Sequence, residues 1–224
     1  HYVTADEYLS GNVRRKLRQA QRAAERDPAF AVNVEALTAA QPKDLDASEI
    51  EVRLGATWID KAYIQQFMYE TFDTPYYLQR SIQVHYSPFT AEWQISGKSA
   101  VSENNVAAYT TYGTSRANAY KILEDSLNLR DVRIYDTVED AEGRERRVLN
   151  AKETTLAAQK QQAIRDAFKD WIWRDPERRR ALVHQYNEEM NSIRPREYDG
   201  SHITFGGMTP SITLRDHQLG AIAH

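Results

Sequence analysis

The 224-residue chain contains no cysteine. Disulfides and thiolate metal sites are therefore excluded, and the composition agrees with a reducing, cytoplasmic setting. No apolar run approaches the roughly 18 to 20 residues that a membrane-spanning helix needs. The first residues lack the basic-then-apolar pattern of a leader. The expectation is a cytoplasmic protein with no membrane partner. A strong charge of one sign is missing as well, since 29 Lys and Arg stand against 32 Asp and Glu for a formal net charge of -3. Bulk charge thus selects no partner, and any surface for a polyanion has to be local.

Signatures of chemistry are also scarce. Gly206-Gly207 is not followed by Lys, so no phosphate-gripping Gly-Lys-Ser/Thr loop is present, and there is no dinucleotide fingerprint. The six histidines (His1, His85, His184, His202, His217 and His224) never stand three or four residues apart, which leaves a helical metal site without support. Asp73-Thr74-Pro75-Tyr76-Tyr77 shares only part of an adenine-methyltransferase tetrapeptide and lacks its paired prolines. No catalytic residue, metal site or resident cofactor is expected.

Hydrophobic residues make up 41% and charged residues 27%, the balance of a chain that builds a buried core. Val13, Leu17, Ala20 and Ala24 follow one face of a helix over Asn12–Arg26, with Asn12 as its cap and Asp27-Pro28 as its end. On another face Arg14, Arg18 and Arg22 recur every four residues, a stripe suited either to a phosphate backbone or to solvent. Further helices are predicted over 33–40, in a short piece beginning at Asp44, over 61–72 behind Asp60, and over 115–127 behind Thr114 or Ser115.

The period changes to two in Ser81–Tyr86 and Ala91–Ser96, with Ser87-Pro88-Phe89-Thr90 between them, so an antiparallel hairpin is predicted. Val132–Asp136 and Arg146–Leu149 are candidate third and fourth strands. Asn150 with Glu153 opens a long helix, and Arg174-Asp175-Pro176 separates it from another that reaches about Asn191. So short a break predicts a helical hairpin. The fold class is therefore α+β, predominantly helical, with a small antiparallel sheet of two to four strands, flanking helices and a C-terminal helical hairpin. The expected divisions are 1–149, mixed; 150–193, helical hairpin; and 194–224, an irregular lead-in.

Thirteen tyrosines and four tryptophans are many for this length. Trp93, flanked by polar residues in an alternating strand, reads as core. Tyr109 and Tyr112, beside Gly113 in a polar loop, read equally as contact residues or as core. Thr114 and Arg116 follow at the expected start of a helix, where amide nitrogens and a guanidinium would seat a phosphate.

Four phrases together carry a resemblance. They are Asp6-Glu7-Tyr8-Leu9-Ser10-Gly11-Asn12-Val13-Arg14, Arg53-Leu54-Gly55-Ala56-Thr57-Trp58-Ile59, Tyr112-Gly113-Thr114-Ser115-Arg116-Ala117-Asn118-Ala119-Tyr120 and Arg194-Pro195-Arg196-Glu197-Tyr198-Asp199-Gly200-Ser201. The chain resembles the segment just upstream of the motor in large proteins of conjugative elements, plasmids and phages. Those proteins join a Snf-type or DEAD/DEAH-box helicase to an adenine-specific DNA methyltransferase region. The resemblance implies a piece of a longer protein, and both ends of the chain read as interrupted.

The same resemblance implies DNA and the neighbouring helicase and methyltransferase domains as partners, with ATP and Mg belonging to the parent motor. By analogy with helicases that carry an adenine-reading glutamine, it makes Gln218 the candidate adenine reader, with Arg215 nearby. A carboxamide offers the donor and acceptor that the adenine edge needs. The DNA-contact candidates are then Arg14, Arg18, Arg22, Tyr112, Thr114 and Arg116. The expected function is a non-catalytic accessory domain that engages DNA and positions the motor. The competing reading is a structural spacer or protein-interaction module without nucleic-acid contact.

Overall fold

In chain order, a computed structural model of the protein places helices α1 (Ala5–Tyr8), α2 (Val13–Ala24), α3 (Ala31–Ala39), α4 (Lys61–Thr71), α5 (Ala119–Leu127), α6 (Ala151–Arg174), α7 (Pro176–Glu189) and α8 (Asp216–Ala223). Strands β1 (Gly11–Asn12), β2 (Val84–Ser87), β3 (Glu92–Ile95), β4 (Tyr135–Glu139), β5 (Glu145–Leu149) and β6 (Ile193–Arg194) pair antiparallel as β1-β6, β2-β3 and β4-β5. The structure describes residues 3–140, 143–197 and 214–223. The predominantly helical α+β class is thus observed, although among the described residues the strands form three separate two-stranded ladders instead of one small sheet. No helix among the described residues is long and apolar enough to cross a membrane.

The chain divides into two compact units, one from residues 1–46 with 183–224 and the other from 47–182. These boundaries differ from the sequence-based ones because residues far apart in the chain pair with each other. In the first unit, Gly11 opposes Arg194 and Asn12 opposes Ile193. Gly11 turns the chain at a φ of 68°, a region in which a side chain is strained. Asn12 then caps α2 by accepting from the Arg15 amide. Of the α2 stripe, Val13 and Ala20 are buried and Leu17 and Ala24 partly so: Val13 and Ala20 form a small core with Leu37 of α3, and Leu17 and Val34 pack on it.

The helix expected from Asp44 does not form. Instead Asn187 clamps Leu45 from both sides, its Oδ1 accepting the Leu45 amide and its Nδ2 donating to the Leu45 carbonyl. Both backbone groups are satisfied without a helical turn, so local propensity loses.

The second unit is built around aromatic packing. Asp60 caps α4 through the Ala62 amide, and Phe67 of that helix meets Phe168 and Trp171 of α6 edge-on at 5.1 and 5.6 Å. Phe72 continues the cluster to Tyr120 of α5 at 5.3 Å. Helix α5 starts later than predicted, at Ala119, because Asn118 is the residue whose side chain reaches the Lys121 amide. Asn150 caps α6 as predicted, accepting from the Glu153 amide. Only Asp175 separates α6 from α7, shorter than the two to five residues a helical hairpin uses. Accordingly α6 packs on α5 and α4, and Arg178 ties the first turn of α7 to its end.

A candidate nucleic-acid interface

The β4-β5 ladder and the segment leading into it form one wall of a groove in the second unit. Asp131, Val132, Arg133 and Ile134 alternate exposed, buried, exposed, buried, so the extended backbone that sinks Val132 and Ile134 turns Arg133 to solvent. Ile134 is fixed at both backbone groups: its amide donates to Thr154 Oγ1 at 3.0 Å, and its carbonyl accepts the Asn150 amide at 2.9 Å. Arg147 of β5 opposes Thr137 and reaches diagonally over the Tyr135 ring, 4.8 Å from its centroid.

The other wall comes from α5 and the loop before it. Thr114 holds that loop as a compact turn, its amide donating to the Ala117 carbonyl at 2.8 Å and its hydroxyl accepting the Arg116 and Ala117 amides. Arg116 is thereby aimed across at β4, where it donates to Asp136 at 2.8 Å and to the Tyr135 carbonyl at 2.9 Å. Hydrogen bonds from Arg116 and then Asn150 hold the Asp136 carboxyl below the usual carboxylate range.

The resulting groove, about 370 Å³ in volume, is lined by five cationic side chains (Arg116, Lys121, Arg130, Arg133 and Arg147) against two acidic ones, Asp125 and Asp131. Lys121 pairs with Asp125 and Arg130 with Glu92, both at 2.7 Å. Arg133 and Arg147 have no carboxylate partner among the described residues. The excess of positive charge is local, as the chain's overall charge requires.

The sequence-predicted contact residues scatter. Arg14 faces inward, its side chain only 11% exposed, donating to the Asn191 carbonyl and pairing with Glu188 and Asp44. Arg18 pairs with Glu188 as well, while Arg22 is exposed. The arginine stripe is therefore largely neutralised by the end of α7 and by Asp44. Tyr112 packs its ring on Phe72 at 5.7 Å, and buried Thr114 serves the turn, so both act inside the fold. Tyr109 is half-buried and its hydroxyl meets Asn118 Nδ2 at 3.4 Å. Trp93 is 5% exposed and lies against Tyr86, as its alternating strand implied.

Arg116 alone of the predicted set lines the groove. Gln218 and Arg215 meet locally in the first unit, the Gln218 carboxamide oxygen accepting the Arg215 amide at 2.9 Å at the first turn of α8. Of the fourth resemblance phrase, Tyr198–Ser201 lie outside the described residues. The groove residues missed from sequence were Lys121, Arg130, Arg133 and Arg147. The alternation around Arg133 was the one signal that could have marked them.

A larger cleft, about 680 Å³, opens between α4, the end of α6 and the start of α7. Its polar groups serve the helices themselves: Trp171 Nε1 donates to Glu70 at 2.6 Å, and Arg178 donates to the carbonyls that end α6. Among the described residues no group of three or more His, Asp or Glu is arranged to hold a metal ion.

No match is found among curated proteins, and none among solved structures. Residues 53–192, which include every side chain of the groove, match the family described as Domain of unknown function (DUF8437), and the chain belongs to that family.

Proposed function

We propose that this protein is a DNA-binding accessory domain, without catalysis of its own, that seats a phosphate backbone in the groove between α5 and the β4-β5 ladder. In the larger helicase–methyltransferase protein that its sequence resembles, such a seat would hold DNA for the neighbouring domains. One observation carries the reading: five cationic side chains converge on one groove of a chain whose net charge is -3. Phosphates neutralised by Arg and Lys release condensed counterions, which gives salt-dependent binding without sequence readout. Arg133 and Arg147 stand ready for phosphates, and Arg116 and Arg130 can exchange exposed carboxylates for them.

The test is a fluorescence-anisotropy titration of a labelled DNA duplex at several salt concentrations. Tight binding at low salt is expected, with affinity falling steeply as salt rises. Replacing Arg133 and Arg147 by Ala should lower the logarithmic salt slope by about 1 for each phosphate that is no longer neutralised. Absence of binding at low salt to both the duplex and a single strand of the same length, or a slope unchanged in the double variant, refutes the reading.

A second reading, a protein-interaction module, is favoured by the exposure of Val138, Val148 and Leu149 on the β4-β5 ladder. It requires a protein partner whose binding is lost on Val148→Ser and is indifferent to Arg133 and Arg147.

A further inference from the structure

Phe89 stands at the tip of the β2-β3 hairpin with 98% of its surface exposed. Single exposed apolar side chains are ordinary on protein surfaces. Phe89 is set apart by how firmly its hairpin is held and by what lies beside it.

The hairpin is pinned along both edges by side chains. Gln65 of α4 accepts the Val84 amide at 3.1 Å. On the other edge Asn128 imitates a neighbouring strand, its Oδ1 accepting the Trp93 amide at 2.9 Å and its Nδ2 donating to the Trp93 carbonyl at 2.8 Å. Glu124 accepts the Ile95 amide at 2.7 Å. Tyr86 and Trp93 pack ring on ring across the strands, tilted by 42° with centroids 4.7 Å apart, just below the turn. The turn is stiffened by Pro88 before Phe89 and reversed by Ala91 at a φ of 54°. An aromatic ring held out on so fixed a support loses little freedom when it meets a partner.

The hairpin also adjoins the cationic groove. Glu92, which opposes Ser87 in the last pair before the turn, accepts from Arg130 at 2.7 Å. Arg130 in turn lines the groove. A strand whose phosphates lie along Arg133, Arg147 and Arg130 is therefore carried toward the Phe89 end of the hairpin. Bases stack on aromatic rings whatever their identity, and an apolar wedge requires them to be unpaired or to be unstacked.

We infer that Phe89 is a base-stacking residue, and that the nucleic acid this groove takes is DNA with unpaired bases in preference to intact duplex. The inference rests on the DNA-binding reading proposed above. The cations hold the backbone, and Phe89 supplies the discrimination between single and double strand.

The test compares a fluorescein-labelled oligo-dT strand of about 16 nucleotides, the upper end of single-site lengths, with a duplex of the same length. The proteins are the unaltered chain, Phe89→Ala, Phe89→Trp and the Arg133→Ala/Arg147→Ala double variant. Phe89→Ala should weaken oligo-dT binding by about 5- to 150-fold, the effect of removing one stack, with the salt slope unchanged. Duplex binding should stay as it was, and Phe89→Trp should retain the strand affinity. Since Phe89 is fully exposed, the circular dichroism and melting curve of Phe89→Ala should match those of the unaltered chain.

Phe89→Ala binding oligo-dT as tightly as the unaltered chain, while the double arginine variant is weakened, overturns the inference and leaves the groove reading standing. So does an equal drop in affinity for strand and duplex. If the unaltered chain binds neither probe, or the double arginine variant binds both normally, the groove reading fails and the inference falls with it.

Discussion

The Arg178 guanidinium lies over the Trp171 ring, 3.5 Å from its centroid, and donates to the Trp171 and Ile172 carbonyls at 2.6 and 3.1 Å. One side chain thus covers an aromatic face and satisfies two of the carbonyls that α6 leaves without partners at its end. Arg178→Ala should lower stability to urea by about 1.5 to 3 kcal/mol and shift Trp171 emission. Arg178→Lys should recover little of that stability. An ammonium cannot lie flat on the ring while donating to both carbonyls.

Tyr120 is fully buried with its hydroxyl 2.7 Å from Thr74 Oγ1, and burial pushes the phenol up to about 12, against an ordinary value near 10. Above about pH 10 the unfolded chain releases this proton while the folded chain keeps it, so stability falls as pH rises between those two values. Two units correspond to about 2 to 3 kcal/mol. Urea midpoints measured across this range should drop more for the unaltered chain than for Tyr120→Phe, which has no proton to lose. Equal slopes would refute the assignment.

Arg14 and Arg22 share a helix face yet differ in role. Arg14→Ala leaves the Asn191 carbonyl without its charged donor and Glu188 with Arg18 alone, and should cost about 1.5 to 3 kcal/mol in thermal or chemical denaturation. Arg22→Ala, on an exposed side chain, should stay within about 0.5 kcal/mol. Neither change should alter the salt slope of DNA binding. A reduced slope in a folded Arg22→Ala protein would restore the stripe as a DNA-facing surface.

Gly113 sits where a Cβ would come within 2.0 Å of the Ala108 carbonyl oxygen and 2.7 Å of the Ala119 nitrogen. Both obstacles are backbone, and the first lies in the π-type turn over Ala107–Thr111, which the Tyr112 amide closes on the Ala107 carbonyl at 2.9 Å. Gly113→Ala should therefore lower stability by about 2 to 4 kcal/mol, read from a thermal melt. The same change should loosen the turn that aims Arg116, so DNA affinity should fall even at temperatures where the variant remains folded.

Elements governed by neighbours in the chain were legible from the residues. Asn12, Asp60 and Asn150 cap the helices they precede, because a short polar side chain and an amide two or three residues on are all the motif needs. The Val84–Ser87 and Glu92–Ile95 strands showed their alternation, and Trp93 its burial. Destinations set by distant residues were not legible. Spacing placed Arg14 and Arg18 on one face, but nothing in it announced Glu188, 174 residues from Arg14. Leu45 had the look of a helix until Asn187 took both its backbone groups.

The groove followed the same division. Arg116 was found from its own loop, whereas Arg133 and Arg147 join it only through strand pairing and the anchoring of Ile134. The loop before α5 misled in another way: Thr114 has the chemistry of a helix cap, but it commits its hydroxyl to a turn and leaves the capping to Asn118.

Because Gly11 can meet Arg194 only after nearly the whole stretch between them has been synthesised, the first unit is discontinuous in the chain while the second is not. On a ribosome, residues 47–182 can complete their own aromatic cluster while α2 and α3 still wait for the closing segment. The order of assembly is thus written into the connectivity. A ribosome-arrested chain in which a linker after Leu182 carries that residue clear of the exit tunnel should protect Tyr120 and Phe168 from exchange and proteolysis while leaving Val13 and Leu37 open.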